Sequence, residues 1–179
     1  DMDVYQQRML NLQRNAMGHG SGMLEAFLAS PQAQEEVLRG RVLLALADWH
    51  HWNGARAPAG AGYSDAVAHL QLTGQAERLQ QWFGQPVELP DNGVFWRDSG
   101  GAGIPITAHF EVTEDGRVRD VSTQAEDEQY RGFAIRLYRR LLATRFRPQF
   151  EQGEPVQVAG LERRYRYLDP AALRRFRSP

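Results

Sequence analysis

The sequence predicts an α+β protein, a helical N-terminal region followed by a smaller module in the order strand, strand, helix, strand with an antiparallel sheet. Three observations predict it. Apolar residues in the first half recur at helical spacing, and the interruptions between them carry Gly and Pro. From Ile106 the period changes to two, as a half-buried strand requires. From Asp127 it becomes helical again and then returns to strand alternation after Gly153. These changes divide the chain into a helical region, 1–90, a linker, 91–103, a module, 104–168, and a basic tail, 169–179.

A chain of 179 residues accommodates two small domains. Its net charge is only -1, yet residues 1–103 carry an acidic excess and residues 104–179 an Arg excess. The second half should therefore present a mildly basic face. Every basic residue is Arg. Cysteine is absent, which excludes a disulfide framework, a thiolate metal site and a cysteine nucleophile. No apolar run is long enough to cross a bilayer. The chain opens on Asp1, so it is expected to be a mature or excised fragment, with any anchor upstream.

In the first half a helix is expected from Val4 to Met17, ending at the loop Gly18-His19-Gly20-Ser21-Gly22, then a short one from Met23 to Ala29. Ser30 is an expected N-cap with Pro31 in the first helical position, and the helix it starts should reach Asn53, where Gly54 stops it. Further helices are expected at 61–72 and 75–83, followed by extended chain from Pro86 to Pro90. Leu43, Leu46, Ala47 and His50, then Ala59, Tyr63 and Ala66, fall at the spacing of helix pairs in which small residues let two helices approach. This stretch resembles one degenerate tetratricopeptide-like unit, which implies a helical domain that contacts protein partners.

In the second half Ile106, Ala108, Phe110 and Val112 alternate with polar residues, and Asp115-Gly116 marks a hairpin turn. Val118 and Val121 follow at odd spacing, so the second strand should bulge or rotate. Tyr130, Phe133, Ala134, Leu137 and Leu141 share one face of a helix from Asp127 to Arg145 that should cover the hairpin. Val156 and Val158, then Leu161, Arg163, Tyr165 and Tyr167, predict a third strand that changes face at a bulge near Gly160.

Phe110-Glu111-Val112 before Asp115-Gly116-Arg117-Val118, Phe133-Ala134 on the helix, Arg145-Phe146-Arg147-Pro148, Gly153-Glu154-Pro155-Val156 and Tyr165-Arg166-Tyr167 occur in that order. Residues 104–168 thereby resemble the TonB C-terminal domain family. The resemblance implies a periplasmic, non-enzymatic protein of the Gram-negative cell envelope that pairs a sheet edge with an extended segment of a protein partner. It implies Leu161–Leu168 as the candidate edge strand, with Arg163, Arg164, Tyr165, Arg166 and Tyr167 as the partner-binding residues. Alternation alone explains Tyr165 and Tyr167 as core residues under the helix, which is the favoured reading of these two. TonB-type energy transduction for outer-membrane transport is the alternative reading.

Other chemistry finds less support. Asp98-Ser99-Gly100-Gly101 has the look of a protease nucleophile loop, but two β-barrels are needed around such a loop and this chain has too few strands. Gly18–Gly22 lacks the preceding strand and the Lys of a phosphate loop. Asp48, His50, His51 and His69 are of metal-binding types, yet adjacent histidines on a helix diverge by about 100 degrees. An RNA-binding sheet would need an aromatic recognition motif that is missing. No catalytic residue, cofactor, metal or nucleic acid is expected.

Overall fold

The computed structural model describes residues 18–89, 95–97 and 103–167. The chain is a mixed α+β protein of two compact units, residues 1–82 with 152–154, and residues 83–151 with 155–179. The expected helix Val4–Met17, the Ser99 loop and the tail 169–179 lie outside the described residues.

In the first unit residues 18–28 are helical (α1), so the expected Gly18–Gly22 loop is corrected. A Cβ at Gly20 would stand 2.3 Å from the Trp49 ring, so this glycine permits a close approach rather than a turn. Ser30 precedes a short 3-10 helix, Pro31–Gln34, but its hydroxyl donates to the Phe27 carbonyl instead of capping. The cap of the next helix, α2 (Glu36–Trp52), is Glu35, whose carboxylate accepts from the backbone N–H groups of Val37 and Leu38.

Helix α2 ends as its sequence implies. Gly54 has φ +83°, its N–H bonds the His51 carbonyl, and the Ala55 N–H bonds the His50 carbonyl. That pair of bonds is a Schellman motif, which needs a left-handed residue. Helix α3 (Arg56–Leu72) ends the same way at Gly74, φ +67°. Its start lies five residues before the expected one, because Pro58 falls in the first turn, where no intrahelical hydrogen bond is lost. The two helices run antiparallel and pack through small residues. A Cβ at Gly62 would meet the Ala47 Cβ at 3.0 Å, and Ala47, Ala59, Tyr63, Ala66, Val67 and Leu70 are buried. The imidazole of His51, rather than that of His50, is buried in this pair, 5.8 Å from the Tyr63 ring. Helix α4 (Ala76–Phe83) follows.

The second unit is built on a four-stranded antiparallel sheet of order β2-β8-β3-β4, from β2 (Phe95–Arg97), β8 (Val158–Tyr167), β3 (Ile104–Val112) and β4 (Val118–Ala125). Strand β3 alternates as expected, with Ile106, Ala108, Phe110 and Val112 buried. At the turn Gly116 has φ +74°, and the Thr113 N–H bonds the Arg117 carbonyl. Both expected bulges are present. Between His109 and Glu111 the partner strand β4 carries one extra residue, with Asp120 at φ +49°, and between Phe110 and Val112 so does β8, with Gly160 at φ +66°.

Helix α5 (Arg131–Ala143) is shorter than expected. A 3-10 turn, Glu128–Tyr130, precedes it with Asp127 accepting from the Gln129 N–H, and Thr144 is already extended. Ala134, Leu137 and Leu141 enter the core with Ile106, Ala108, Phe110, Phe146 and Tyr165. Two short strand pairs accompany this sheet, one of them involving the expected extended stretch 86–90. β1 (Val87–Glu88) pairs with β5 (Phe146–Arg147), and β6 (Gln149–Glu151) pairs with β7 (Glu154–Val156). Strand β2 falls within the expected linker, and Phe83 and Leu89, expected with the helices, are buried in this unit.

Candidate interaction surface

The period of two along β8 sends Arg163, Tyr165 and Tyr167 to the face that α5 and the segment around β1 and β5 cover. Arg163 and Glu88 are only 10% and 9% exposed at their side chains and lie 3.3 Å apart, Arg163 Nη1 to Glu88 Oε2. Arg163 Nη2 also donates to the Pro86 carbonyl at 2.8 Å, and its guanidinium sits 5.0 Å from the centre of the Phe146 ring. The Tyr165 hydroxyl donates to the same Glu88 oxygen at 2.8 Å. Burial pushes the Tyr165 hydroxyl well above its ordinary pKa, and the Glu88 carboxylate pushes it further, with Arg163 opposing. Tyr167 stacks on Phe133, ring centres 4.1 Å apart, and Arg136 lies over its ring. These three side chains are therefore structural, tying β8 to the helix and to β1.

Arg164 and Arg166 point the other way. Arg164 is exposed and pairs with Glu126. Arg166 Nη1 donates to the Gly103 carbonyl at 3.3 Å. On this open face His109 and Glu162 also approach, at 3.9 Å. Of the five residues expected to read a partner, only these two arginines stand clear of the core.

The expected backbone edge is covered in part. Over its last three residues β8 is an interior strand, since Phe95 pairs with Tyr167, Trp96 with Arg166 and Arg97 with Tyr165, while β3 pairs on the other side. Leu168 lies outside the described residues. The outermost long strand is β4. Ser122 to Ala125 pair with His109 to Ile106 on one side, and among the described residues no strand pairs with the other. Alternate residues of this stretch thus turn their backbone N–H and C=O groups to the outer side, a template for a further strand.

Beside this edge lies an open recess between the end of β4 and the start of α5, with Gln124, Asp127, Glu128 and Arg131 at its rim and Thr123 and Ala134 at its floor. The Thr123 hydroxyl donates to the Ala134 carbonyl at 2.7 Å, which holds strand and helix together at the floor. Arg131 and Glu128 form an exposed pair at 3.4 Å. Sequence reasoning missed this edge. A strand, strand, helix, strand order leaves open which hairpin strand receives the last one, and pairing of β8 with β3 is what leaves β4 outermost.

The residue types considered for metal binding are not brought together. Asp48 accepts from the Tyr63 hydroxyl at 2.9 Å, and His69 Nε2 bonds the Glu36 carbonyl at 2.7 Å. Among the described residues no three His, Asp or Glu groups are placed to share an ion, and no helix is long and apolar enough to cross a membrane. No protein-family model matches the chain, and no curated protein matches it.

Proposed function

We propose that this protein is a non-enzymatic interaction protein, and that its second unit takes an extended segment of a protein partner as an added strand on β4. The outer side of Ser122–Ala125, which no strand pairs among the described residues, carries this reading. Backbone hydrogen bonds along the edge supply affinity, and the recess beside it receives alternate side chains of the incoming strand. The order of hairpin, helix and aromatic last strand supports a TonB C-terminal-like module. That likeness in turn makes the Gram-negative cell envelope, on its periplasmic side, the proposed location. The small-residue packing of α2 on α3 supports the tetratricopeptide-like reading of the first unit, with a second protein contact there.

Hydrogen exchange tests the reading. A partner captured from a cell-envelope extract and then purified is expected to slow exchange of the amides of 121–125. Protection confined to 161–164, the part of the expected edge that β2 does not reach, would move the site there. No protection in any strand would end the strand-addition proposal.

A further inference from the structure

The outer side of α5 points to a second docking surface, whose first residue, Arg131, also lines the recess beside β4. Helix α5 already buries one full stripe, Ala134, Leu137 and Leu141. Three more large apolar residues, Ile135, Tyr138 and Leu142, lie at i, i+3 and i+7 on another side and remain 45%, 40% and 49% exposed. Residues at that spacing are stacked neighbours on one helix flank, so they form a ridge two turns long, about 10 Å. All four ionisable residues of α5 other than tyrosine are arginines, and none is acidic. Arg131 and Arg139 stand four residues from Ile135 on either side, at the ridge itself. Arg131 makes an exposed ion pair with Glu128.

We infer that this ridge docks an acidic amphipathic helix of a protein partner. An apolar row on a helix whose four charged residues are all Arg is complementary to a helix with leucine-like residues at i, i+3 or i+4, and i+7, flanked by carboxylates that Arg can bind bidentately. A second copy of α5 is a poor occupant, because it would set Arg against Arg. An anionic membrane is also a poor fit. Roughly half of each ridge side chain is already packed against this protein, leaving little to reach about 5–10 Å into a lipid interface.

The probe is a synthetic 15-residue amide-capped peptide with Leu at i, i+4 and i+7 and Glu at the flanking positions, labelled and titrated with the full chain at low salt. Saturable binding is expected. It should weaken about tenfold in Leu142→Ser and in Arg139→Gln, both exposed changes, and should be lost when Gln replaces every Glu of the peptide. No saturation at millimolar protein, equal binding by the Gln peptide, or binding unchanged in both variants would each overturn the inference. So would binding of the chain to vesicles containing anionic phosphatidylglycerol that is lost in the same variants while the peptide fails to bind, which would assign the ridge to a membrane surface.

Discussion

At the residue scale, the Glu88 carboxylate ties β1 to β8 within the second unit. It is almost fully buried, it neutralises an equally buried Arg163, and it accepts from Tyr165. Removing one member of such a pair leaves the other charge uncompensated, which costs more than the pair itself contributes. Glu88→Gln is therefore expected to destabilise the protein by about 3 kcal/mol in urea titration. Tyr165→Phe removes one hydrogen bond to a charged acceptor and keeps the ring, so a loss of about 1.5 kcal/mol is expected. Tyr165 also sets a pH dependence. Its folded-state pKa lies above the unfolded value, so its contribution is complete below about pH 10 and declines above it, where only the unfolded chain gives up the proton. Melting temperatures measured between pH 8 and 11.5 should fall more steeply for the native protein than for Tyr165→Phe; parallel curves would show that Tyr165 is not the group responsible.

At the element scale, the two bulges act together on one central strand. The extra residues of β4 and β8 flank β3 at the same level, near Glu111, and each bulged strand turns away more sharply there. Gly160 at φ +66° has open space around its α-carbon, so Gly160→Ala meets only the conformational penalty of a left-handed residue. A loss of about 1 kcal/mol is expected in thermal or chemical unfolding, with the core cluster unchanged in its near-ultraviolet signal. The kink at Asp120 has a different effect. It interrupts regular pairing on one side of the β4 edge and so limits a docking strand to the residues beyond it, up to Ala125.

At the scale of the whole molecule, each unit has its own buried set, alanines with Tyr63 and Leu70 in one and Phe110, Phe146 and Tyr165 in the other. A change that overfills the first set should act mainly there. Gly62→Leu forces a large side chain against Ala47, and α2 and α3 are expected to lose about 2 kcal/mol of hydrogen-exchange protection while the amides of β3 lose less. Equal loss in both would show that the two units unfold as one.

Local rules carried the sequence far where a single residue type answers a local need. Gly54 and Asp115-Gly116 ended a helix and turned a hairpin as expected, and Gly160 and the odd spacing of Val118 and Val121 marked bulges, because each reports a backbone conformation that neighbours in the chain already require. The alternation of Ile106 to Val112 and the stripe Ala134, Leu137, Leu141 likewise reported their buried faces. Gly20 misled for the opposite reason, since its small size serves Trp49, far along the chain. Only the tertiary structure could join Glu88 to Arg163 across 75 positions, place Phe95–Arg97 beside Tyr165–Tyr167, and so make that end of the expected edge interior while leaving β4 outside. Strand order is decided by which buried faces and backbone groups find each other in space, and a period of two along the chain carries no record of the neighbour on either side.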